Sequence, residues 1–369
     1  MSLRQRNLIQ KPVCTCGIGH VLSAFHVENF SHQAVTIEVL RVSKLGKHEG
    51  KRLSWASAKG AALTPSPPYA FITQISGEVS MEATQGSGAA QASRVTIIQT
   101  RPLAPRIGAE ILGVDLRDNL SVEVLEAIRN TWHSNGVILI RGQLLDEDAQ
   151  VKFAQRFGEL GKVLHVHEGR SSLPGVMYIS NVRENGKLIG ALPDGEMYFH
   201  SDQCYIEHPS VGTMLFAMEV PSKGGDTIFA NMFAAYDELP DDLKRQIEGR
   251  KAVNVYDYQN AATVRGSQVK DGVPSFAHFM VKAHSATGRK ALYFNRLMTD
   301  HIVGMDRAES DALLDRLFDH QEQERFLYRH VWKPGDLLLW DNRSTLHARS
   351  DFDASERRKM RRTVVVREH

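Results

Sequence analysis

A β-rich core closed as a jelly roll, or double-stranded β-helix, and flanked by helices is the fold class that this sequence predicts. Short apolar, β-branched runs separated by turn residues dominate the chain from Tyr198 onward. Helical periodicity marks the elements that flank those strands, and closure of such sheets yields a jelly roll. With 369 residues, 42% of them hydrophobic and 24% charged, the chain is long enough for one sizeable core plus an extension.

A formal net charge of +2 offers no electrostatic case for nucleic acid or an anionic membrane, so the arginines clustered near the C-terminus need a local explanation. Three cysteines, Cys14, Cys16 and Cys204, are too few for a disulfide framework. No apolar run approaches the roughly 18 residues of a membrane span, and the N-terminal residues lack the pattern of a secretion signal. A cytoplasmic protein with neither nucleic-acid nor membrane partners is expected. A homo-oligomer is compatible with this composition, which does not specify assembly.

Residues 1–93 show little helical periodicity and end in Gly86-Ser87-Gly88-Ala89-Ala90-Gln91-Ala92-Ser93, the composition of a linker. A poorly structured extension is expected there, followed by one folded domain over residues 94–369. Cys14-Thr15-Cys16 with His20 lacks the spacing of a zinc ribbon and has no second pair. One reading starts the native chain at Met81.

From Arg94 the pattern is regular. Val95-Thr96-Ile97-Ile98 and Ile107-Gly108-Ala109-Glu110-Ile111 read as strands. Ser121 caps a helix in which Val124, Leu125, Ile128 and Trp132 recur at helical spacing, ending near Asn135-Gly136. Val137-Ile138-Leu139-Ile140 is a continuous apolar strand, and a second helix over residues 147–157 stops at Gly158. The polar stretch over residues 161–195, headed by Leu164-His165-Val166-His167, reads as a lid. Gly212-Thr213-Met214-Leu215-Phe216-Ala217-Met218 is a strand buried on both faces, and Thr227-Ile228-Phe229-Ala230 resumes the sheet. The turn between them, Pro221-Ser222-Lys223-Gly224-Gly225-Asp226, uses its glycines to supply positive φ. A helix over residues 233–248 is interrupted by Pro240, and residues 260–275 form a polar excursion. In Ala291-Leu292-Tyr293-Phe294-Asn295 the aromatic residues serve a core or line a pocket, and residues 306–320 form an amphipathic helix with Leu313, Leu314 and Leu317 inward.

The chemistry concentrates in Tyr198-Phe199-His200-Ser201-Asp202. If this is a strand, His200 and Asp202 share a face and offer one nitrogen and one oxygen ligand to a single ion. His347 is the candidate third ligand, in a polar turn after the apolar run Leu337-Leu338-Leu339-Trp340. Two histidines and one carboxylate on one side of a metal leave the other side open, which suits Fe(II) taking a co-substrate and O2 together. Eleven residues after His347 comes Arg358 and four later Arg362, which share a face with Met360 if the run is a strand. Arginines facing inward need anions, and a carboxylate taken bidentately is their usual partner.

Together His200-Ser201-Asp202, Gly224-Gly225-Asp226-Thr227, Trp340-Asp341-Asn342-Arg343 with His347, and then Arg358 and Arg362 are similar in order and spacing to one family. From about Arg94 to the C-terminus the chain resembles the taurine dioxygenase/2,4-dichlorophenoxyacetate dioxygenase (TauD/TfdA) family of iron(II)- and 2-oxoglutarate-dependent oxygenases. The resemblance implies a clavaminate synthase-like jelly roll in which His200, Asp202 and His347 hold Fe(II). It also implies that 2-oxoglutarate chelates the metal, its 5-carboxylate held by Arg358 and the Thr227 hydroxyl, and that Arg362 grips the anionic group of the substrate. His167 is implied as a substrate contact; Asn181, in Ile179-Ser180-Asn181-Val182, either orients substrate or satisfies a strand end. The implied reaction uses O2 to hydroxylate a small organic anion, a carboxylate, aryloxyacid, sulfonate or alkyl sulfate, with release of succinate and CO2. Glu196 and Phe199 depart from the asparagine and tryptophan of the taurine enzyme, so taurine itself is not expected.

Two readings from other classes use the same residues. A zinc hydrolase employs three protein ligands and a bound water, but has no need of Thr227 and Arg358. A non-catalytic barrel keeps the pocket without needing the triad.

Overall fold

A computed structural model of the chain describes residues 24–31, 34–40, 56–61, 98–161, 175–190, 192, 195–256 and 272–369. Two compact units, Met1–Gln91 and Ala92–His369, make up the chain. In the first, Ala24–Ser31, Ala34–Leu40 and Ala56–Ala61 form an antiparallel sheet in that order. Strands thus stand where little stable structure was expected. The period-two, β-branched run Val35-Thr36-Ile37-Glu38-Val39 carries that signal, which a search for helical periodicity passes over. Cys14, Cys16, His20 and Met81 lie outside the described residues.

The second unit is built on an eight-stranded sheet. Its order is Gln99–Pro102, Ala109–Leu112, Val137–Ile140, Leu337–Asp341, Gly212–Glu219, Lys359–Glu368 and Gly158–Leu160, with Val176–Ser180 also pairing with Lys359–Glu368. Apart from the parallel pair Ala109–Leu112 and Val137–Ile140, neighbours are antiparallel. The period of two sorts its side chains cleanly. Ile138, Ile140, Met214, Phe216, Leu337 and Leu339 pack outward beneath Ile128, Trp132 and Phe153 of two helices. Val137, Leu139, Leu215, Ala217, Leu338, Trp340 and Met360 pack inward. They meet Phe229 of a second, four-stranded antiparallel sheet ordered Met197–His200, Thr345–Arg349, Thr227–Asn231, Leu327–His330. Two sheets closing on one interior make the jelly roll. Because Phe229 is fully buried between them, Phe229→Ala is expected to cost about 3–5 kcal/mol, read from denaturant midpoints at unchanged m-value.

The flanking helices obey their local signals. Val122–Asn135 starts where Ser121 Oγ accepts from the Val124 N–H and ends at Gly136, with φ of 72°. The next is capped by Asp146 and spans Glu147–Gln155, ending before the expected Phe157, which instead packs edge-on against Trp132. The interruption expected at Pro240 divides that segment into two helices, Met232–Asp237 and Asp241–Ile247, because proline has no N–H to carry the first one through. Both join Arg307–Gln321, with Leu313, Leu314 and Leu317 inward, in a satellite core. Among the described residues no helix is long and apolar enough to cross a membrane.

Two features aim these parts at one place. Gly224 and Gly225 both take positive φ, 78° and 66°. A Cβ on Gly224 would collide with the Asp351 carbonyl, and one on Gly225 would press on Pro221 and Arg358, so the turn needs glycine and lies against Arg358. Arg361 faces outward from the C-terminal strand, yet is buried. It donates to Gln150 Oε1 (2.8 Å) and the carbonyls of Leu145 (2.6 Å) and Asp146 (2.9 Å), pinning that strand to the helix region.

Candidate active site

His200 is the last residue of its strand and lies directly opposite His347 in antiparallel register, their ring centroids 4.0 Å apart. The strand stops there, so Asp202 does not share its face by strand geometry as expected. A turn that includes Gln203 at φ 57° carries Asp202 to the same spot. His347, likewise, sits within the strand Thr345–Arg349 rather than in the preceding turn. One ligand atom from each of His200, Asp202 and His347 lies within 4.8 Å of the others.

The electrostatics suit a cation. His200 Nδ1–H donates to the Tyr198 carbonyl at 3.0 Å, which selects the tautomer with its lone pair on Nε2. His347 Nδ1 is buried without a hydrogen-bond partner among the described residues, and its Nε2 is 3.9 Å from Asp202 Oδ1. Burial lowers both imidazole pKa values, and for His347 the neighbouring His200 adds to this, so both rings are neutral at pH 7. Burial alone would raise the Asp202 carboxyl; Arg362, then His347 and His200, hold it below its ordinary value instead. An ionised carboxylate beside two neutral imidazoles is a competent donor set for a divalent metal.

A second constellation adjoins it. Arg358 is buried, and its Nε and Nη1 have no hydrogen-bond partner among the described residues. Burial, and then the nearby Arg349 charge, push its pKa below the ordinary value, so an anion there would relieve a real cost. Thr227, opposite Arg349 across the sheet, accepts the Trp332 indole N–H at 3.0 Å. Its own hydroxyl proton is therefore directed elsewhere and can serve a carboxylate. Arg362 Nη2 contacts Asp202 Oδ1 at 2.7 Å, on the inward face shared with Met360.

Not every expected residue joins the site. Asn181 Oδ1 accepts the Arg358 N–H at 2.9 Å and its Nδ2 donates to the Glu356 carbonyl at 2.8 Å, so the amide holds the backbone that leads into Arg358. His167, with His165, and most of the excursion over residues 260–275 lie outside the described residues. Glu196 is exposed and Phe199 packs against the satellite core. Tyr293, Phe294 and Asn295 are buried, Phe294 in the satellite core. Sequence reading missed Trp332 and Arg349, which carry no local signal. It also missed Thr213, whose signal was visible: it is the lone hydroxyl in an otherwise apolar strand.

The family model described as "Taurine catabolism dioxygenase TauD, TfdA family" matches residues 99–364. The chain belongs to this family. The TauD/TfdA match takes in the jelly roll up to the middle of its C-terminal strand, with both histidines, Asp202, Arg358 and Arg362. The chain is 32% identical over 281 residues to the alpha-ketoglutarate-dependent 2,4-dichlorophenoxyacetate dioxygenase of Burkholderia sp. (strain RASC), covering 73% of this chain and 94% of the relative. It is also 32% identical over 282 residues to the alpha-ketoglutarate-dependent sulfate ester dioxygenase of Pseudomonas putida, covering 73% and 90%. The crystal structure of AAD-2 in complex with Mn(II) and N-oxalylglycine superposes with a TM-score of 0.66 at 28% identity, covering 73% of this chain and 98% of that one. As a TauD/TfdA member the protein is an oxidoreductase, a dioxygenase with alpha-ketoglutarate (2-oxoglutarate) as co-substrate.

Proposed function

We propose that this dioxygenase uses Fe(II) held by His200, Asp202 and His347, and hydroxylates a small organic anion of the aryloxycarboxylate or sulfate ester class. The single observation that carries this is a converging His/Asp/His donor set contacted by Arg362, with a buried arginine, Arg358, four residues earlier, two of whose nitrogens lack partners among the described residues. Arg358 and Thr227 receive the distal carboxylate of 2-oxoglutarate, the guanidinium bidentately and the hydroxyl as a single donor. Iron bound at the triad supplies the oxygen chemistry, and succinate and CO2 leave as co-products. Arg362 stands on the metal side of the strand and orients the anionic end of the substrate. The substrate class is supported by the relatives, which are named for 2,4-dichlorophenoxyacetate and for sulfate esters. A low cysteine count agrees with a reducing, cytoplasmic setting for Fe(II).

The test is succinate release with Fe(II) and oxoglutarate under air across a panel of aryloxyacids, alkyl sulfates, sulfonates and simple carboxylates. Anion-dependent succinate formation is expected; hydrolysis of an ester without oxoglutarate would favour the zinc hydrolase instead. Arg362→Ala is expected to remove a charge-assisted contact of about 1.5–3 kcal/mol, raising KM for the organic anion roughly ten- to a hundredfold. If it instead raises KM for oxoglutarate and spares the anion, the division of roles between Arg358 and Arg362 is reversed.

A further inference from the structure

We propose that Trp340, Asn342 and Thr213 form a buried hydrogen-bond relay that makes Asp202 a one-oxygen metal ligand, holding its Oδ2 so that Oδ1, which also accepts from Arg362 Nη2 at 2.7 Å, is the oxygen presented to the ion. This rests on the metal reading above.

The direction of each bond follows from the first donor. An indole nitrogen can only donate, so Trp340 Nε1–H donates to Asn342 Oδ1 at 3.0 Å and thereby sets which way the amide points. Asn342 Nδ2 then donates to Thr213 Oγ1 (3.0 Å) and to Ser210 Oγ (3.1 Å). The Thr213 oxygen is already accepting, so its own proton goes to Asp202 Oδ2 at 2.6 Å, which as a carboxylate oxygen only accepts. Every member of the chain is buried, which makes an unmade bond there costly and a complete chain rigid.

The backbone reinforces it. Asn342 N–H donates to the Val211 carbonyl at 3.0 Å, and Ser201 Oγ donates to the Asn342 carbonyl at 2.8 Å. The turn bearing Asn342 is thus tied to the segment bearing Asp202. The residue choice at 213 is informative. Its neighbours on the same strand are Met214, Leu215, Phe216 and Ala217, and valine would fill the same space with better burial, so the hydroxyl is what distinguishes threonine here. A carboxylate that bound through both oxygens would occupy part of the open side of the metal that co-substrate and O2 require. Occupying Oδ2 from behind prevents that.

The experiment compares wild type, Thr213→Val and Thr213→Ser as full-length protein. Mn(II) affinity is measured by calorimetry, and the visible ligand-field spectrum is recorded after loading with Co(II). Thr213→Val is expected to weaken Mn(II) binding about 10- to 100-fold, the usual cost of losing an outer-shell partner, and to alter the Co(II) bands. Thr213→Ser, which keeps the hydroxyl, is expected to follow wild type in both. The proposal is overturned if Thr213→Val matches wild type in affinity and spectrum, or if the serine variant is as defective as valine. Should the valine variant fail to fold by circular dichroism, Thr213→Ala supplies the same comparison. Wild-type protein that takes up neither Mn(II) nor Co(II) would instead overturn the metal reading itself, an outcome distinct from a defect confined to the variants.

Discussion

His200→Ala is expected to abolish succinate formation and to reduce Mn(II) binding by more than the about 10- to 100-fold that loss of an outer-shell partner costs. The protein should nevertheless fold. The imidazole is neutral in its buried site, so its removal strands no charge, and Asp202 keeps its Thr213 and Arg362 partners. The defect should therefore appear in metal uptake while the thermal midpoint without metal shifts only by the cost of a small void. Wild-type Mn(II) affinity in His200→Ala would remove the triad from the mechanism.

Arg358→Ala should act on oxoglutarate alone. Losing one partner of a buried carboxylate pair costs about 3–5 kcal/mol, which is roughly two to four orders of magnitude in the oxoglutarate KM, with Mn(II) affinity preserved. Stability should move the opposite way from an ordinary core truncation. In the ligand-free protein the guanidinium is buried with two nitrogens lacking partners and Arg349 close by, so its removal relieves desolvation and repulsion. An unchanged or higher thermal midpoint alongside a large loss of oxoglutarate affinity marks a residue kept for function at a cost in stability. Arg358→Lys should recover little, because an ammonium cannot make the two parallel bonds of a guanidinium. A lower midpoint with an unaltered oxoglutarate KM would make Arg358 a structural residue.

Much of this was legible along the chain, and for identifiable reasons. The cap at Ser121, the glycine turn at 224 and 225 and the two-faced apolar strands are local signals, and each produced the element it announced. The alternation of Arg358, Met360 and Arg362 put the inward face in the right phase, because a strand turns its side chains strictly by twos. Local geometry was less readable. Asp202 reaches the site through a turn rather than along a strand, and Asn181 serves the backbone before Arg358, because such details depend on where neighbouring chain segments run.

The chain carries in its own order the set of reactive groups, two imidazoles, a carboxylate, a hydroxyl and two inward arginines, together with the alternation that builds two sheets. Those are properties of side-chain chemistry and of the two-residue period, which need no tertiary contact to exist. Folding alone brings His200 opposite His347, turns the Thr227 hydroxyl with Trp332, and sets Thr213 and Asn342 behind Asp202. Strand register and the meeting of distant turns are set by the packing of the whole core, and no short stretch of chain contains that information.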